Sequence, residues 1–396
     1  MSENLYYVGL ICGTSLDGID AVLVEIPSDD EGDGKDGRPN IKLVRSHFAT
    51  FEDKFVSRMK NLSLGIYGPG EDPIFQLGTL DREAGHLFAQ AANQLLAKSP
   101  EIGPDRVKAI GSHGITVRHC PAEGPTPSFT LQIGDPNTIA VGTGINVVGD
   151  LRRKDLALGG QGAPLVPALH QAIFSHPQVA RCIVNIGGIS NVTILRPGQS
   201  TLGFDTGPGN TLLDAWCHEK TGMDFDRNGE WSQSGQLNPA LLKHLRDESY
   251  FELKPPKSTG KELFNPSWLK GKLQSWTNAS SSHPLSDVDI QCTLVHLTVT
   301  TIAEALRDER DKLDGVQEVY VCGGGARNGF LMELLDSALV PLIVRTTNHL
   351  GVHSDFVEAM AFAWLAHAFT RDRAGNLPEV TGAKSKAILG GLYKAG

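Results

Sequence analysis

The sequence predicts an α/β protein of two domains, and three observations carry that reading. Runs rich in β-branched and apolar residues alternate with longer stripes of helical period, the pattern of sheets flanked by helices. The chain has 396 residues with 40% hydrophobic content, enough for a large core and long for a single domain. Past His176-Pro177 a succession of strand, glycine-rich polar turn and strand begins again.

Composition narrows the function. The formal net charge of −9 argues against nucleic acid as the main partner, because neutralising phosphates needs a basic face. Glu3 stands where a signal peptide would be basic, and no apolar run is long enough to span a bilayer, so a cytoplasmic chain without a membrane partner is expected. Cys12, Cys120, Cys182, Cys217, Cys292 and Cys322 lack CxxC or CxxH spacing and read as reduced thiols, mostly buried. A small-molecule ligand fits this chain best.

In the first half, residues 8–12 form a strand that runs into Gly13-Thr14-Ser15-Leu16-Asp17-Gly18-Ile19-Asp20, and a second strand comes next over residues 21–26. Gly13 permits close backbone approach to an anion, while Thr14 and Ser15 offer hydroxyls and amides suited to phosphate. An ordinary glycine-containing turn is the competing account, although Asp17 and Asp20 exceed what a turn needs. Residues 28–40 (SDDEGDGKDGRPN) have the composition of a mobile loop before a strand at 41–50. Residues 73–97 carry a helical stripe that includes Phe75, Leu80, Ala84, Phe88 and Leu95. Strands are read at 107–112 and 130–133. His113 and His119 read as hydrogen-bonded loop histidines, since their spacing suits no metal site. A strand at 145–148 ends in Gly149-Asp150, ahead of Leu151-Arg152-Arg153-Lys154-Asp155 and the glycine loop Gly159-Gly160-Gln161-Gly162. This segment is either a solvated charge run before a helix near Pro164 or a strand end emptying into a ligand loop.

In the second half, the strand 182–186 ends in Gly187-Gly188 and leads to a strand at 192–195. The next apolar run ends at Phe204 and gives way to Asp205-Thr206-Gly207-Pro208-Gly209, which places Asp205 at a strand end as a candidate general base. Its competing role is to cap the helix expected over 210–217. Further helices are read at 239–245 and 287–308, with loops at 257–261 and 280–284. The strand 319–322 leads into Gly323-Gly324-Gly325-Ala326-Arg327-Asn328 and a helix over 329–339. This is not a dinucleotide fingerprint, because Asn328 replaces the third glycine, and the chain holds no GxxxxGK[ST]. Residues 358–367 (EAMAFAWLAH) form a helix of small residues suited to tight packing.

GTSLDGID from Gly13, NIGGISNV from Asn185, GFDTGPGN from Gly203 and VCGGGARN from Val321 occur in order. Together they resemble the sugar-kinase branch of the actin, heat-shock and hexokinase superfamily. Within it the chain resembles the anhydro-N-acetylmuramic acid kinase family. IGSHG from Ile110, DLRRKDLALGGQGAPLVPALHQ from Asp150, KSTGKELFN from Lys257 and EAMAFAWLAH from Glu358 extend the match over nearly the whole chain. It departs at Leu151, where the family commonly has Phe, and at Val352-His353-Ser354, in place of a proline-containing turn.

The resemblance implies two duplicated actin-like ATPase (ribonuclease H-like) domains, each a mixed sheet flanked by helices, around a central cleft. Residues 1–176 plus 371–396 would form one and residues 177–370 the other. It implies ATP and Mg²⁺, whose ligands it does not name, and it leaves room for a homodimer. ATP is expected at Gly13, Thr14, Ser15, Leu16, Asp17, Gly18, Ile19 and Asp20, at Gly187, Gly188 and Gly207, and, beside the adenosine, at Gly323, Gly324, Gly325 and Asn328. The sugar is expected at Asp17, Asp150, Arg153, Gln161 and Glu358, with Asp205 as the base. The implied reaction opens the 1,6-anhydro ring of anhydro-N-acetylmuramic acid with water and phosphorylates O6, a step of cell-wall sugar recycling. Rival readings are a kinase of another anhydro-sugar such as levoglucosan, an actin-like or chaperone-like ATPase, and a dehydrogenase weakened by the broken fingerprint. Arg152 and Arg153 favour the muramic substrate, because its lactyl carboxylate calls for a cation.

Overall fold

The apolar runs of the first half pair into one sheet in the computed structural model, which describes residues 5–13, 16–27, 41–120, 128–279, 285–310 and 315–396. Strands β1 (Leu5–Ile11), β2 (Gly18–Ile26) and β3 (Lys42–Thr50) form an antiparallel run. β4 (Val107–Ser112) returns parallel to β1. A side hairpin joins β5 (Ile115–Cys120) to β6 (Phe129–Ile133), and β7 (Val147–Gly149) then lies parallel to β4. The strand Gly391–Tyr393 closes the far edge, antiparallel to β7. The helix Pro73–Ala97 starts where Asp72 accepts hydrogen bonds from the amides of Ile74 and Phe75 with Pro73 in the first turn, and it buries Leu80, Ala84, Phe88 and Leu95. Each fully buried Leu or Phe in such a core contributes about 1.5–3 kcal/mol.

Two glycines seat a second helix on this sheet. A Cβ on Gly9 of β1 would lie 2.0 Å from the carbonyl oxygen of Ala359, and one on Gly111 of β4 would lie 1.9 Å from that of Phe362. The small-residue helix Val357–Thr370 therefore rests directly on β1 and β4. Its contacts assign it to the first compact unit, Met1–Ile173 with Phe356–Gly396, and the second unit is Phe174–Asp355. The boundary expected between 370 and 371 thus moves to 355/356, because this helix completes the first core.

The second unit repeats the plan. β8 (Arg181–Ile186), β9 (Ile189–Leu195) and β10 (Leu202–Pro208) are antiparallel neighbours. β11 (Glu318–Cys322) lies parallel to β8, and β12 (Ile343–Thr346) parallel to β11. The order β10-β9-β8-β11-β12 matches β3-β2-β1-β4-β7 strand for strand and in direction. Two α/β units, each a mixed sheet flanked by helices, are present as expected. The core of the second centres on Val184, Ile186, Val192, Leu294, Ile302 and Leu331.

Several expectations are corrected. β10 does not stop at Phe204 but runs through Asp205 to Pro208, because its backbone continues to pair with Ser190 and Ile189. His119 lies in β5, bonded to Thr130 Oγ1 at 3.0 Å, and not in a loop. Asp155 is fully buried, so its segment is no solvated charge run. Helices Asp53–Leu64, Pro136–Thr143 and Pro266–Ala279 add to those read from the sequence. None of the six cysteines forms a disulfide. The loops expected at 28–40 and 280–284 lie outside the described residues, and among those residues no helix is long and apolar enough to cross a membrane.

Candidate active site

Asp205 is 7% exposed and is clamped from three directions. Its carboxylate Oδ2 accepts the amide of Thr259 at 2.9 Å, its own amide donates to the Lys257 carbonyl at 3.2 Å, and its carbonyl accepts the Tyr250 hydroxyl at 2.7 Å. Lys257 Nζ sits 4.7 Å from the Tyr250 ring centre. Burial pushes the Lys257 ammonium below its usual range while the Asp205 charge opposes that shift, and the Tyr250 phenol is raised by burial and by Asp205. The clamp rests on the ring contacts Tyr250–Phe264, Phe251–Phe264 and Phe264–Trp268. A β-bulge between Asp205 and Gly207, where Thr206 hydrogen-bonds Ser190, sets the local direction of the strand. Asp205 is not the helix cap: Gly209 occupies that place and has no side chain to accept the first-turn amides.

The second glycine turn is tied down by the helix after β10. Gly187 O accepts from the Asn210 amide at 2.8 Å, and Gly188 O accepts from the amides of Gly209 and Thr211 at 2.9 and 3.1 Å. Gly207, at φ +150°, packs against Phe251, where a Cβ would come within 2.8 Å of the ring. Gly323, at φ +83°, leaves no room for a Cβ beside Asn185 Oδ1, and a Cβ on Gly325 would strike the Ile186 side chain at 2.3 Å. The neighbouring ends of β8 and β11 thus bring half-buried Gly187, Gly188, Gly323 and Asn210 together with exposed Gly324, a side-chain-poor surface suited to the flat face and phosphates of a nucleotide. Asn328 already has one task, since its side-chain oxygen accepts the Leu331 amide at 3.0 Å and caps the helix Gly329–Ala338.

In the first unit the turn after β1 starts at Gly13, whose carbonyl accepts the Leu16 amide at 3.3 Å. Thr14 and Ser15 lie outside the described residues. Leu16 has φ 59°, Asp17 is exposed, and Gly18 abuts β3, where a Cβ would lie 2.4 Å from Ala49 O. Ile19 is buried in β2, and Asp20, half-buried, pairs with Ile11 and Phe48 across the sheet. Asp150, at φ 56°, comes directly after β7 and holds Arg153 Nε at 2.6 Å, while Arg153 remains 64% exposed. Arg152 donates to His113 Nε2 at 2.9 Å and to Gly162 O at 2.8 Å. His113 Nδ1 faces Gly114 O at 3.0 Å and must donate there, so the ring is neutral. Burial and the Arg152 charge hold its pKa well below the ordinary value. Gln161 is fixed through its amide to Thr381 O at 2.8 Å, and Glu358 lies in the first turn of its helix.

Sequence reasoning missed the residues that hold these groups. Tyr250 and Thr259 lie far from Asp205 in sequence, and the only signal for them was the KSTG segment. Asp155 accepts from Gly162 N, Asn376 Nδ2 and Thr381 Oγ1, each at 2.8 Å, pinning the glycine loop to the C-terminal segment. Nothing local marks it. Among the described residues no three His, Cys, Asp or Glu side chains converge on a metal position. A buried carboxylate beside glycine turns still fits Mg²⁺, which binds mainly through substrate phosphates and water with one or two carboxylates.

A family model described as anhydro-N-acetylmuramic acid kinase matches residues 5–395. The curated anhydro-N-acetylmuramic acid kinase of Shewanella pealeana is 49% identical over 395 residues, 99% of this chain and 100% of the relative. That of Shewanella frigidimarina is 49% identical over 397 residues, all of both chains. Among solved structures, the activator of 2-hydroxyisocaproyl-CoA dehydratase from Clostridium difficile aligns at TM-score 0.44 and 12% identity, covering 93% of this chain and 96% of the other. The ROK hexokinase from Thermus thermophilus aligns at TM-score 0.37 and 14% identity, covering 93% and 100%. The sequence matches span the whole chain and both glycine turns, the Asp205 strand and the glycine run after β11, and on that ground the chain belongs to the anhydro-N-acetylmuramic acid kinase family.

Proposed function

We propose that the protein opens the 1,6-anhydro ring of anhydro-N-acetylmuramic acid with water and transfers the ATP γ-phosphoryl group to O6, yielding N-acetylmuramic acid 6-phosphate. The observation that carries this reading is the buried, clamped carboxylate of Asp205 on a bulged strand whose following segment, Gly209 to Thr211, donates three amides to the Gly187-Gly188 turn. Asp205 takes a proton from water as the water oxygen bonds to the anomeric carbon. The bridge C–O bond breaks, and the released O6 receives the phosphoryl group. A positioned base of this kind contributes roughly 10²- to 10⁴-fold.

ATP supplies the phosphoryl group, and Mg²⁺ held mainly by its phosphates neutralises charge there. Gly13 to Asp20, with Gly187, Gly188 and Gly207, are assigned to the phosphates. Gly323, Gly324, Gly325 and Asn328 are assigned to the adenosine. Asp17, Asp150, Gln161 and Glu358 are assigned to the sugar, and Arg153 to its lactyl carboxylate. The product is a phosphorylated amino sugar of the kind that cell-wall recycling returns to metabolism.

Turnover in ¹⁸O-labelled water tests the reaction. Label is expected on the anomeric hydroxyl and not on the transferred phosphoryl group. Label on the phosphate, or ADP release at the same rate with and without sugar, overturns the proposal.

A further inference from the structure

The loop that clamps Asp205 also carries a cation. The Lys257 carbonyl accepts the Asp205 amide at 3.2 Å, and the Lys257 side chain folds back over Tyr250, the residue whose hydroxyl holds the Asp205 carbonyl at 2.7 Å. Lys257 Nζ lies 4.7 Å from the centre of that ring and 3.4 Å from the Tyr250 carbonyl oxygen. The residue is half-buried, although its four-carbon stem is long enough to carry the charge into water. Among the described residues the ammonium has one hydrogen bond, the long one to Tyr250, which together with an aromatic face compensates poorly for its lost hydration. The Asp205 charge supplies the rest, favouring protonated Lys257 against the burial that opposes it.

The same attraction acts in reverse on Asp205. A carboxylate taken out of water holds a proton more tightly unless a cation faces it, and an opposite charge about 4–6 Å away offsets that by roughly one to three pH units. The other neighbours of Asp205 offer no such charge. β9 sets neutral Asn191 opposite it, and the helix Asp287–Arg310 turns the hydroxyls of Thr298 and Thr301 to the end of β10. Glu304 of that helix is held by Arg246 at 2.5 Å. Burial and the Asp205 charge keep the Tyr250 phenol neutral. Glu248 is engaged by Trp268 at 2.9 Å and Lys272 at 3.4 Å, while Glu252, Lys254, Lys261 and Glu262 are exposed.

Resting on the function proposed above, we propose that Lys257 is a positioning residue whose ammonium keeps Asp205 ionised at neutral pH, and so able to take the proton of the attacking water. Once Asp205 holds that proton the ammonium lacks its counter-charge, which favours release of the proton to solvent before the next turnover.

The test follows kcat/KM against pH for 1,6-anhydro-N-acetylmuramic acid, with ATP and Mg²⁺, in the wild type, Lys257→Arg, Lys257→Met and Lys257→Gln. Met keeps the stem that covers Tyr250, and Gln is a second neutral variant should Met fail to fold. In both neutral variants the midpoint of the acid limb is expected to rise by about one pH unit or more, and in the Arg variant to stay within about 0.3 unit of the wild type. A loss by one factor at every pH with an unmoved midpoint marks a merely structural side chain and overturns the proposal. So does a midpoint that moves as far in Arg as in Met.

A titration without substrate separates this inference from the reaction itself. The ¹³C carboxyl resonance of Asp205, identified by its loss in Asp205→Asn, is followed with pH in the wild type and the two neutral variants. If the wild type phosphorylates no sugar, the proposed reaction fails, yet a higher midpoint in the neutral variants still upholds the pairing of Lys257 with Asp205. An unmoved resonance midpoint overturns it.

Discussion

β3 and β10 occupy the same place in the two sheets, third in an antiparallel run, yet their environments differ. β3 has only exposed and half-buried positions, whereas β10 is buried from Gly203 to Pro208. The difference arises from the chain that connects each strand to the next. The connection from β3 to β4 holds two longer helices, of which Pro73–Ala97 packs on β3. The connection from β10 to β11 holds the Tyr250–Thr259 clamp and the helix Asp287–Arg310, which packs on β10. The turns after the first strands differ in parallel. Asp17 O is tied to the end of β3 by the Phe51 amide at 3.2 Å, while Gly187 and Gly188 receive three amides from the segment after β10. A duplicated frame thus holds a buried carboxylate only where its third strand is covered, the fixed geometry that suits the general base proposed for Asp205.

The largest expected effect tests that contrast directly. Asp205→Asn keeps the side-chain shape but cannot take a proton, so kcat should fall about 10²- to 10⁴-fold with the melting transition little changed. His47→Ala on β3, which removes a hydrogen bond to Gln94, should leave kcat within about twofold on the reading that β3 has no catalytic part. Steady-state kinetics decide, and an active Asn variant breaks the comparison.

Acid should separate the units next. An unfolded histidine takes its proton near pH 6.5, but burial lowers His119 to about 4 and His170 to about 3, and His113 also lies well below its ordinary value. As pH falls from 6.5 toward 4 the unfolded state therefore binds more protons, and stability drops by about 1.4 kcal/mol per pH unit for each such histidine. All three lie in the first unit. Hydrogen exchange at pH 5 should accelerate in its peptides before those of the second unit, and the reverse order would refute the assignment.

Glycines give the next contrast. Gly111→Ala would press on Phe362 O and should destabilise the first unit by about 1–3 kcal/mol, an overpacking cost. Gly271→Ala, in the helix Pro266–Ala279 with nothing within 4 Å, should instead stabilise the second by up to about 1 kcal/mol. Thermal unfolding of both variants checks the opposite signs.

The smallest effect concerns the second unit alone. Asn328→Ala removes a helix cap and should cost about 1 kcal/mol of stability. A rise in the ATP KM beyond that loss would sharpen the proposed adenosine role, and an unchanged KM would leave Asn328 as a cap.

Local sequence determined the strands β1, β2, β4, β8 and β9, the helix Pro73–Ala97 to the residue, and the glycine turns at Gly187-Gly188 and Gly323–325. These depend on neighbours: apolar period, an Asp-Pro start and backbone freedom all lie within a few residues. The candidacy of Asp205 was legible in the same way, from the residue types around it.

Tertiary structure decided the rest. β10 passes through Asp205 because Ser190 and Ile189 supply its ladder, which no turn statistic of Thr206-Gly207-Pro208 contains. The helix Val357–Thr370 belongs to the first sheet because Gly9 and Gly111, hundreds of positions earlier, leave space for its carbonyls. Asp155 became a buried hub only when distant segments closed around it. Burial and hydrogen-bond partnership are properties of pairs of segments, and a chain read residue by residue holds no record of which pairs will meet.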